Sequence, residues 1–397
     1  MGKSESVSQA VPSGEELVKR AEAMIPMLRA KAEATEKARR ISDETIAAFR
    51  EAGFFKVLQP KRWGGYEMHP SVNYRILMEL ARGCPSSAWN FMVLGTHQFE
   101  LGLMDPRAGD WLWGEDPTRL VASSYAPMGK VKKVDGGHVL NGKWVTSSGC
   151  DNAAGGAFVG GKVFDDAGNL LDFRSFLVPT SDYEIVDDWH VAGLCGTGSK
   201  SLVIKDAFVP EFRSHTMLGY QNKGNVGLFG LPFLYVFFAS VSSCIVGMAR
   251  GMMDLYVEHM APRENVFMAA GSAAANPFVK GRLGEASAKI RGSRARLLTN
   301  VDEAWAYVEK GLPVPIEDRV RHFSENQFTG GECFEAAHML FKKSATRGIW
   351  LSSPLQRQMR DIMIASNHVT QNQDDLGDLL GGYLLGQGLP PGSVVSE

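Results

Sequence analysis

The change of hydrophobic period along the chain constrains its fold more than any other feature. Apolar residues first recur at helical spacing, then alternate as they do in strands, and finally return to helical spacing. Helices and strands are thus segregated rather than alternating, a pattern typical of the α+β class. The sequence predicts an N-terminal helical domain, a central antiparallel β-barrel domain and a C-terminal helical bundle, at residues 1–118, 119–213 and 214–397. For the central domain, the spacing of the strands also allows a sandwich.

The stretch from Ala122 to Asn152 holds two hydroxyl pairs, Ser123–Ser124 and Ser147–Ser148, joined by a hairpin-like segment. We expect the hairpin to bring the two pairs together, with Trp144 beside them. Hydroxyls and backbone N–H groups can donate to a flat, polar-edged ring, and an indole can form a wall for it. An ordinary β-hairpin with turn serines is the alternative, and this stretch alone favours neither.

A buried histidine is predicted near the end of the helix that starts at Pro85. This helix is apolar on nearly all sides, so we expect the protein interior to surround it. His97 lies at its far end. On this pattern alone, a core histidine bonded to a carbonyl is favoured over a functional one.

The segment Gly193–Lys200, GLCGTGSK, is rich in glycine but lacks the spacing of a Walker loop. It also lacks the strand-to-helix context of a dinucleotide fingerprint. We expect a tight turn here, with Thr197 and Ser199 pointing at a neighbouring segment.

Composition excludes several classes of protein. The net charge of −2 provides no basic face for nucleic acid. The five cysteines form neither a CxxC pair nor a metal-ligand spacing, which indicates a reduced, cytoplasmic protein without a metal site. The N-terminus lacks the apolar segment of a signal peptide, and we expect no membrane-spanning run.

Several longer motifs, in the same order along nearly the whole chain, resemble those of the acyl-CoA dehydrogenase fold. They are FFKVLQPKRWGG from Phe54, HVLNGKWVTSSG from His138, CGTGSKSLVIKDAFVP from Cys195 and SPLQRQMRDI from Ser353. This resemblance implies the same helical, β and helical order that the periodicity predicts.

Shorter motifs resemble the oxygenase component of two-component flavin-dependent aromatic monooxygenases, of the p-hydroxyphenylacetate hydroxylase and secosteroid phenol hydroxylase type. The matching segments are WGEDP at 113–117, SSYAPMG at 123–129 and SSGCD at 147–151. The two functional histidines of that family match His97 and His368. The resemblance therefore favours a functional role for His97.

The resemblance also implies a mechanism. Reduced flavin (FADH2 or FMNH2) from a separate NAD(P)H:flavin reductase would react with O2, the co-substrate, to give a C4a-hydroperoxyflavin that hydroxylates an aromatic ring. The implied catalytic residues are His97 and Ser123 at the substrate, Ser148 near flavin N5, and His368 near the peroxide. The implied flavin-binding residues are Trp144, Thr146, Ser147, Ser148, Thr197, Ser199 and Arg263.

Arg263 would reach a flavin phosphate across a subunit interface, and a surface salt bridge in the bundle is the equally favoured alternative. The apolar helices of the C-terminal part, together with this shared site, predict a homotetramer.

Departures from the dehydrogenases narrow the function. SSYAPMGK replaces their longer TEPxxGSD loop, and His368 lies in the late helix where many of them keep a catalytic glutamate. The segment 229–238 contains no basic residue where the hydroxyphenylacetate enzyme has an arginine, which favours a neutral phenol or indole-type substrate. The remaining alternatives are an acyl-CoA dehydrogenase-like flavoprotein oxidoreductase and a non-catalytic ligand-binding protein of the same fold.

Overall fold

The N-terminal part of the computed structural model is helical, as the sequence predicts. The structure describes residues 10–165, 167–217, 225–265, 271–389, 393 and 395. Serine side chains begin two of the helices, because Ser13 and Ser42 accept hydrogen bonds from the backbone N–H groups of Glu16 and Thr45. The helices are α1 Gly14–Ala23, α2 Ile25–Ala38, α3 Asp43–Glu51, α4 Pro70–Gly83, α5 Pro85–Gly102 and α6 Pro106–Trp113. The sequence analysis did not predict α6.

Helix α5 is enclosed by protein along almost its whole length. Every residue from Pro85 to Leu101 is buried, which confirms the expectation from its all-round apolar composition. The helix packs against α4 on one side and reaches the first strand of the sheet region on another. The seven polar side chains that α5 carries therefore lie in the interior and require partners there.

The central region forms two separate four-stranded sheets, so the predicted closed antiparallel barrel is wrong. The strand orders are β1-β4-β5-β8 and β2-β3-β7-β6. The pair β1–β4 is parallel, with Val121 opposite Gly156, whereas the other pairs are antiparallel. The strands are β1 Val121–Ser124, β2 Lys130–Val134, β3 Gly137–Ser147, β4 Gly156–Phe164, β5 Leu170–Val178, β6 Tyr183–Val186, β7 Lys200–Pro210 and β8 Ser214–Thr216. Alternation identified most of these strands but carries no information about which strands pair.

The predicted hairpin joins β2 to β3 and brings the two hydroxyl pairs together. Gly136 makes the turn with a positive φ of 76°, which glycine adopts without strain. Beyond β3, Ser148 forms an isolated antiparallel bridge with Ser123. Gly142 lies inside β3 and does not make a turn. The end of β3 thus adjoins the end of β1.

The C-terminal part is a helical bundle built around α7. This helix packs against α4 and α5 from the first part and against α8, α9 and α10 from its own. It is long and apolar enough to span a membrane by length and composition, contrary to our expectation that no such run exists, but its most apolar window is 83% buried. The helices are α7 Phe233–Met260, α8 Pro277–Val308, α9 Ile316–Phe341, α10 Pro354–Ser366 and α11 Gln373–Leu384.

Candidate active site

His97 is fully buried, but a carboxylate rather than a carbonyl holds it. Its Nδ1 lies 2.8 Å from Oε2 of Glu100, one helical turn further along α5. Its Nε2 is buried and has no hydrogen-bond partner among the described residues. A buried ring nitrogen without a hydrogen-bond partner is unusual in a protein core, so Nε2 of His97 is a candidate for binding a ligand.

Glu100 accepts hydrogen bonds from four side chains. Oε1 accepts from Nε2 of His215 on β8 and from Oγ of Ser175 on β5, both at 2.8 Å. Oε2 accepts from His97 and from the hydroxyl of Tyr125, which follows β1. Burial alone would raise the pKa of Glu100, but the hydrogen bonds from His215 and His97 lower it to about 2. The carboxylate is therefore ionised.

Aromatic rings surround the imidazole of His97. Phe233 and Phe237 of α7 stack on it with ring centroids 5.9 and 6.1 Å away, and Phe158 of β4 lies at 5.4 Å. Phe237 also contacts His368, with ring centroids 6.4 Å apart. The two predicted catalytic histidines therefore share a contact with one phenylalanine ring.

His368 is neutral and presents a donor. Its Nδ1 accepts a hydrogen bond from the backbone N–H of Thr370, so the proton of the neutral ring resides on Nε2. Its imidazole packs edge-on against the indole of Trp89, with centroids 5.5 Å apart. Burial lowers the pKa of His368 to about 4.

A row of hydroxyls connects the end of β3 with the glycine-rich loop. Ser148 Oγ lies 2.7 Å from Ser199 Oγ, which lies 2.6 Å from Thr197 Oγ1. The indole N–H of Trp89 donates to Ser148 Oγ at 3.2 Å. The neighbouring segment that Thr197 and Ser199 were expected to meet is thus the one carrying Ser148.

Ser123 lies between the two groups of residues. It is buried on β1, opposite Ser148 and two residues before Tyr125. The structure therefore brings together all four residues that the sequence analysis proposed as catalytic, through contacts that run from His97 and Tyr125 to Ser148 and His368.

Trp144 does not lie with these residues, which is a correction to its predicted place beside the serines. Its indole is fully buried within the sheet region, its N–H donates to the carbonyl of Gly160 at 2.7 Å, and its ring packs against Gly129. A register shift between Trp144 and Ser147 changes which face successive side chains occupy. We therefore assign Trp144 a packing role.

Thr146 and Arg263 also lie apart from the buried hydroxyls. Thr146 is exposed at the shift in β3, with its hydroxyl bonded to the neighbouring carbonyl of Val145. Arg263 follows α7, where it donates to the carbonyl of Ser344 at 3.1 Å and lies beside His259. Within this single chain, neither residue contacts the group around His97.

Further unsatisfied polar atoms lie close to the hydroxyl row. The hydroxyl of Ser147 and both amide atoms of Asn90 are buried and have no partner among the described residues. Asn90 lies one residue after Trp89, and its amide oxygen is near Gly149. These atoms provide donors and acceptors for a flat, polar-edged ring, which is the chemistry that a flavin ring presents.

Sequence reasoning missed Glu100, Tyr125, His215 and Trp89. Glu100 gave a local signal, since a carboxylate three residues after His97 on a helix that is buried all round must face a partner. His215 gave none, because β8 is three residues long and its pairing with β5 is set by tertiary structure.

Comparisons with known proteins identify the family of the chain. The profile of the acyl-CoA dehydrogenase N-terminal domain matches residues 16–101, and that of the C-terminal domain matches residues 239–373. The oxygenase subunit HsaA of a flavin-dependent monooxygenase from Mycobacterium tuberculosis is 37% identical over 94% of this chain and 95% of its own length.

Two further relatives extend the comparison. The oxygenase component of p-hydroxyphenylacetate 3-hydroxylase from Acinetobacter baumannii is 30% identical over 96% of this chain and 92% of its own. The crystal structure of 3-HSA hydroxylase from Rhodococcus sp. RHA1 superposes with a TM-score of 0.90 at 36% identity, covering 96% of this chain and 98% of that one.

The chain belongs to the oxygenase subunits of the flavin-dependent monooxygenases. The predicted enzyme class, the acyl-CoA dehydrogenase-like fold and the use of reduced flavin with O2 are thereby confirmed. The two alternatives, an acyl-CoA dehydrogenase-like oxidoreductase and a non-catalytic binding protein, are set aside.

A buried carboxyl on α10 holds the loop that carries Thr197 and Ser199 in this oxygenase subunit. Asp361 Oδ1 accepts the backbone N–H of Leu194 at 2.6 Å, where the loop has a left-handed φ of 52°. Gly193 lies so close to α10 that a Cβ atom would meet the carbonyl of Arg360 at 2.3 Å. Burial, with the nearby charge of Glu36, raises the pKa of Asp361 to about 7.

The folded protein binds the proton of the Asp361 carboxyl more strongly than the unfolded chain does. We therefore expect the midpoint temperature of thermal unfolding to fall as pH rises through about 7. This contribution is fully present below the unfolded pKa of about 3.9 and is lost above the folded value. Asp361→Asn should therefore raise the midpoint at pH 8 relative to the wild type, and much less at pH 5. Thermal unfolding of the variant and the wild type at both pH values measures this difference in midpoint temperature. The exposed Asp135→Asn is the matched control, and equal effects of the two variants would contradict the assignment.

Proposed function

We propose that this chain hydroxylates the ring of a neutral aromatic substrate, of the phenol or indole type. The observation that carries the proposal is the unpartnered Nε2 of His97 against the rings of Phe233 and Phe237. A single buried acceptor in aromatic surroundings suits one hydroxyl or N–H on a flat ring. Among the relatives, the p-hydroxyphenylacetate 3-hydroxylase is named for a ring with one hydroxyl, although that ring also carries a carboxylate.

A separate reductase would deliver the reduced flavin, as the word "component" in the name of that relative suggests. When bound, the reduced flavin reacts with O2 and supplies the oxygen atom that the ring receives. The chain contributes Ser147, Ser148, Thr197 and Ser199 as hydroxyls that hold the flavin ring, and the surrounding burial excludes water. The five free cysteines agree with a cytoplasmic location.

Two neutral histidines divide the proton chemistry in this proposal. His97 offers an acceptor to the substrate hydroxyl, with Ser123 as a second contact, while His368 offers its Nε2–H as a donor near the oxygen that is transferred. Thr146 is exposed and lies apart from the buried hydroxyls, so we assign it no contact with the flavin ring. Arg263 would reach a flavin phosphate of a neighbouring subunit.

Neutral substrates should be preferred over anionic ones. The segment 225–238 of this oxygenase subunit, which includes Phe233 and Phe237, contains no charged residue. Near His97, the side chain that can carry a positive charge is His215, and Glu100 already pairs with it. A substrate carboxylate would therefore be buried without a partner.

We expect kcat/KM for 4-ethylphenol to exceed that for 4-hydroxyphenylacetate by about tenfold or more, since an unpaired charge costs over about 1.4 kcal/mol. The pair shares one ring and one hydroxyl, so the carboxylate is the variable. Product would be quantified by chromatography with a generic flavin reductase supplying reduced flavin. A preference for the carboxylated phenol would contradict the neutral-substrate proposal, and failure to hydroxylate any phenol or indole would contradict the function.

Ser148→Ala should release more hydrogen peroxide per O2 consumed. The substitution removes a hydroxyl that Ser199 and Trp89 hold in place and that we assign to the flavin near N5. Loss of a hydrogen bond of about 1–3 kcal/mol predicts an increase of about 5- to 150-fold in the rate of peroxide release. A peroxidase-coupled assay measures this rate.

The control is Ser243→Ala, which removes an equally buried hydroxyl that bonds to a carbonyl within α7. It should leave peroxide release unchanged. If Ser148→Ala behaves like the control, Ser148 has no role at the flavin.

We propose that the subunit forms a homotetramer. Large apolar side chains are exposed near the ends of the bundle helices, including Phe278 on α8 and Trp350 and Leu351 before α10. Arg263, which follows α7, needs a neighbouring subunit in order to reach a flavin phosphate. Light scattering at micromolar concentration should therefore give four times the chain mass of 43.3 kDa. A monomer under these conditions would contradict both the assembly and the shared flavin site.

A further inference from the structure

The four donors around Glu100 determine where the proton of His97 lies. An ionised carboxylate only accepts hydrogen bonds, so every atom that faces it at 2.8 Å must carry a hydrogen. Nδ1 of His97 is such an atom. A neutral His97 is therefore protonated at Nδ1, and its unpartnered Nε2 carries a lone pair.

His215 is bound by acceptors at both ring nitrogens. Its Nε2 lies 2.8 Å from Glu100 Oε1, and its Nδ1 lies 2.9 Å from the carbonyl oxygen of Thr216. Both nitrogens must carry hydrogens to satisfy these contacts, which makes His215 an imidazolium cation. Its charge offsets that of Glu100, and a second cation at the fully buried His97 would lack compensation.

The remaining surroundings of His97 carry no ionised group among the described residues in contact with it. Phe233 and Phe237 face it from α7 and Phe158 faces it from β4. Tyr125 donates to Glu100, and both burial and that carboxylate raise the pKa of its hydroxyl, so it stays neutral. Glu100 and His215 are thus the charges that act on His97.

We propose that Glu100 and His215 are positioning residues that hold His97 with its proton on Nδ1, so that Nε2 accepts the proton of the substrate hydroxyl or N–H. This inference rests on the proposed function. In the step, the substrate O–H bond breaks, an Nε2–H bond forms, and the electron pair stays on the substrate to enrich its ring. The carboxylate of Glu100 then lies against the imidazolium formed at His97 and stabilises it.

The structure also allows a simpler role, in which the hydrogen bonds to Glu100 only stabilise the packing of α5 against β5 and β8. A purely structural role would determine neither the position of the proton on His97 nor the pH dependence of hydroxylation. Both can be measured, and the first of them without flavin or substrate.

The first measurement is the tautomer of His97 in the flavin-free protein, by solid-state NMR with 15N-labelled histidine. His97→Gln identifies the resonances. We expect the Nδ1–H form in the wild type. In Glu100→Gln, the amide oxygen should turn to the charged His215 and the amide NH2 to His97 Nδ1, so the proton should move to Nε2. The Nε2–H form in the wild type would overturn the proposal.

The second measurement is the pH profile of hydroxylation. Glu100→Gln should lower product formation by about 10²-fold or more, with little change in KM, while O2 consumption continues and yields peroxide. His215→Gln keeps a donor to Glu100 but removes the positive charge, so His97 should retain a proton more readily. The acid limb of the profile should then move to higher pH by about one unit.

The control is His138→Gln, which replaces a buried histidine of β3 that lies outside this cluster and should leave the limb in place. If the acid limb of the pH profile is unchanged in His215→Gln, the proposal is overturned, even if Glu100→Gln fails to fold. The two proposals also fail separately. A wild type that hydroxylates no aromatic ring contradicts the function, whereas a productive wild type with Nε2–H at His97 contradicts this inference alone.

Discussion

The buried carboxylate of Glu100 is the interaction on which the site depends. A charge that is fully enclosed is costly unless each of its oxygens is hydrogen-bonded, and here the donors come from α5, from the segment after β1, from β5 and from β8. These elements must all be in place before the charge is satisfied. The requirement fixes α5 against the first sheet, with His97 where the two meet.

A second connection completes the site from the other sheet. The loop before β7 is held by Asp361 of α10, and its hydroxyls in turn hold Ser148 at the end of β3. Trp89 joins this row to α5, and Phe237 joins the two histidines to α7. Both sheets and the bundle thus converge on one volume, so the geometry depends on all three parts of the fold.

The sequence predicted most helices and strands, because these leave local patterns, and its matched motifs selected four residues that the structure places near one another. It could not predict the pairing of strands, and the barrel was wrong since β1 pairs with β4 in parallel and the two sheets remain separate. Trp144 was misplaced because one register shift in β3 changes the face of the sheet. No local pattern indicated a role for His215, since that role arises from a contact with Glu100, which lies 115 positions earlier in the chain.

The pairing of His97 with a carboxylate suits the acidity of a phenol. A phenolic hydroxyl has a pKa of about 10 and an imidazolium about 6.5, so transfer between them in water is unfavourable by about 5 kcal/mol. The transfer becomes easier as the ring gives up electrons to the incoming oxygen, which makes the hydroxyl more acidic. A fixed negative charge at Nδ1 favours the imidazolium at that same moment. A buried histidine without Glu100 would lack this help, and without His215 the negative charge of Glu100 would act on His97 uncompensated. The cluster therefore needs both charges, of opposite sign, for a neutral base to persist in an apolar interior.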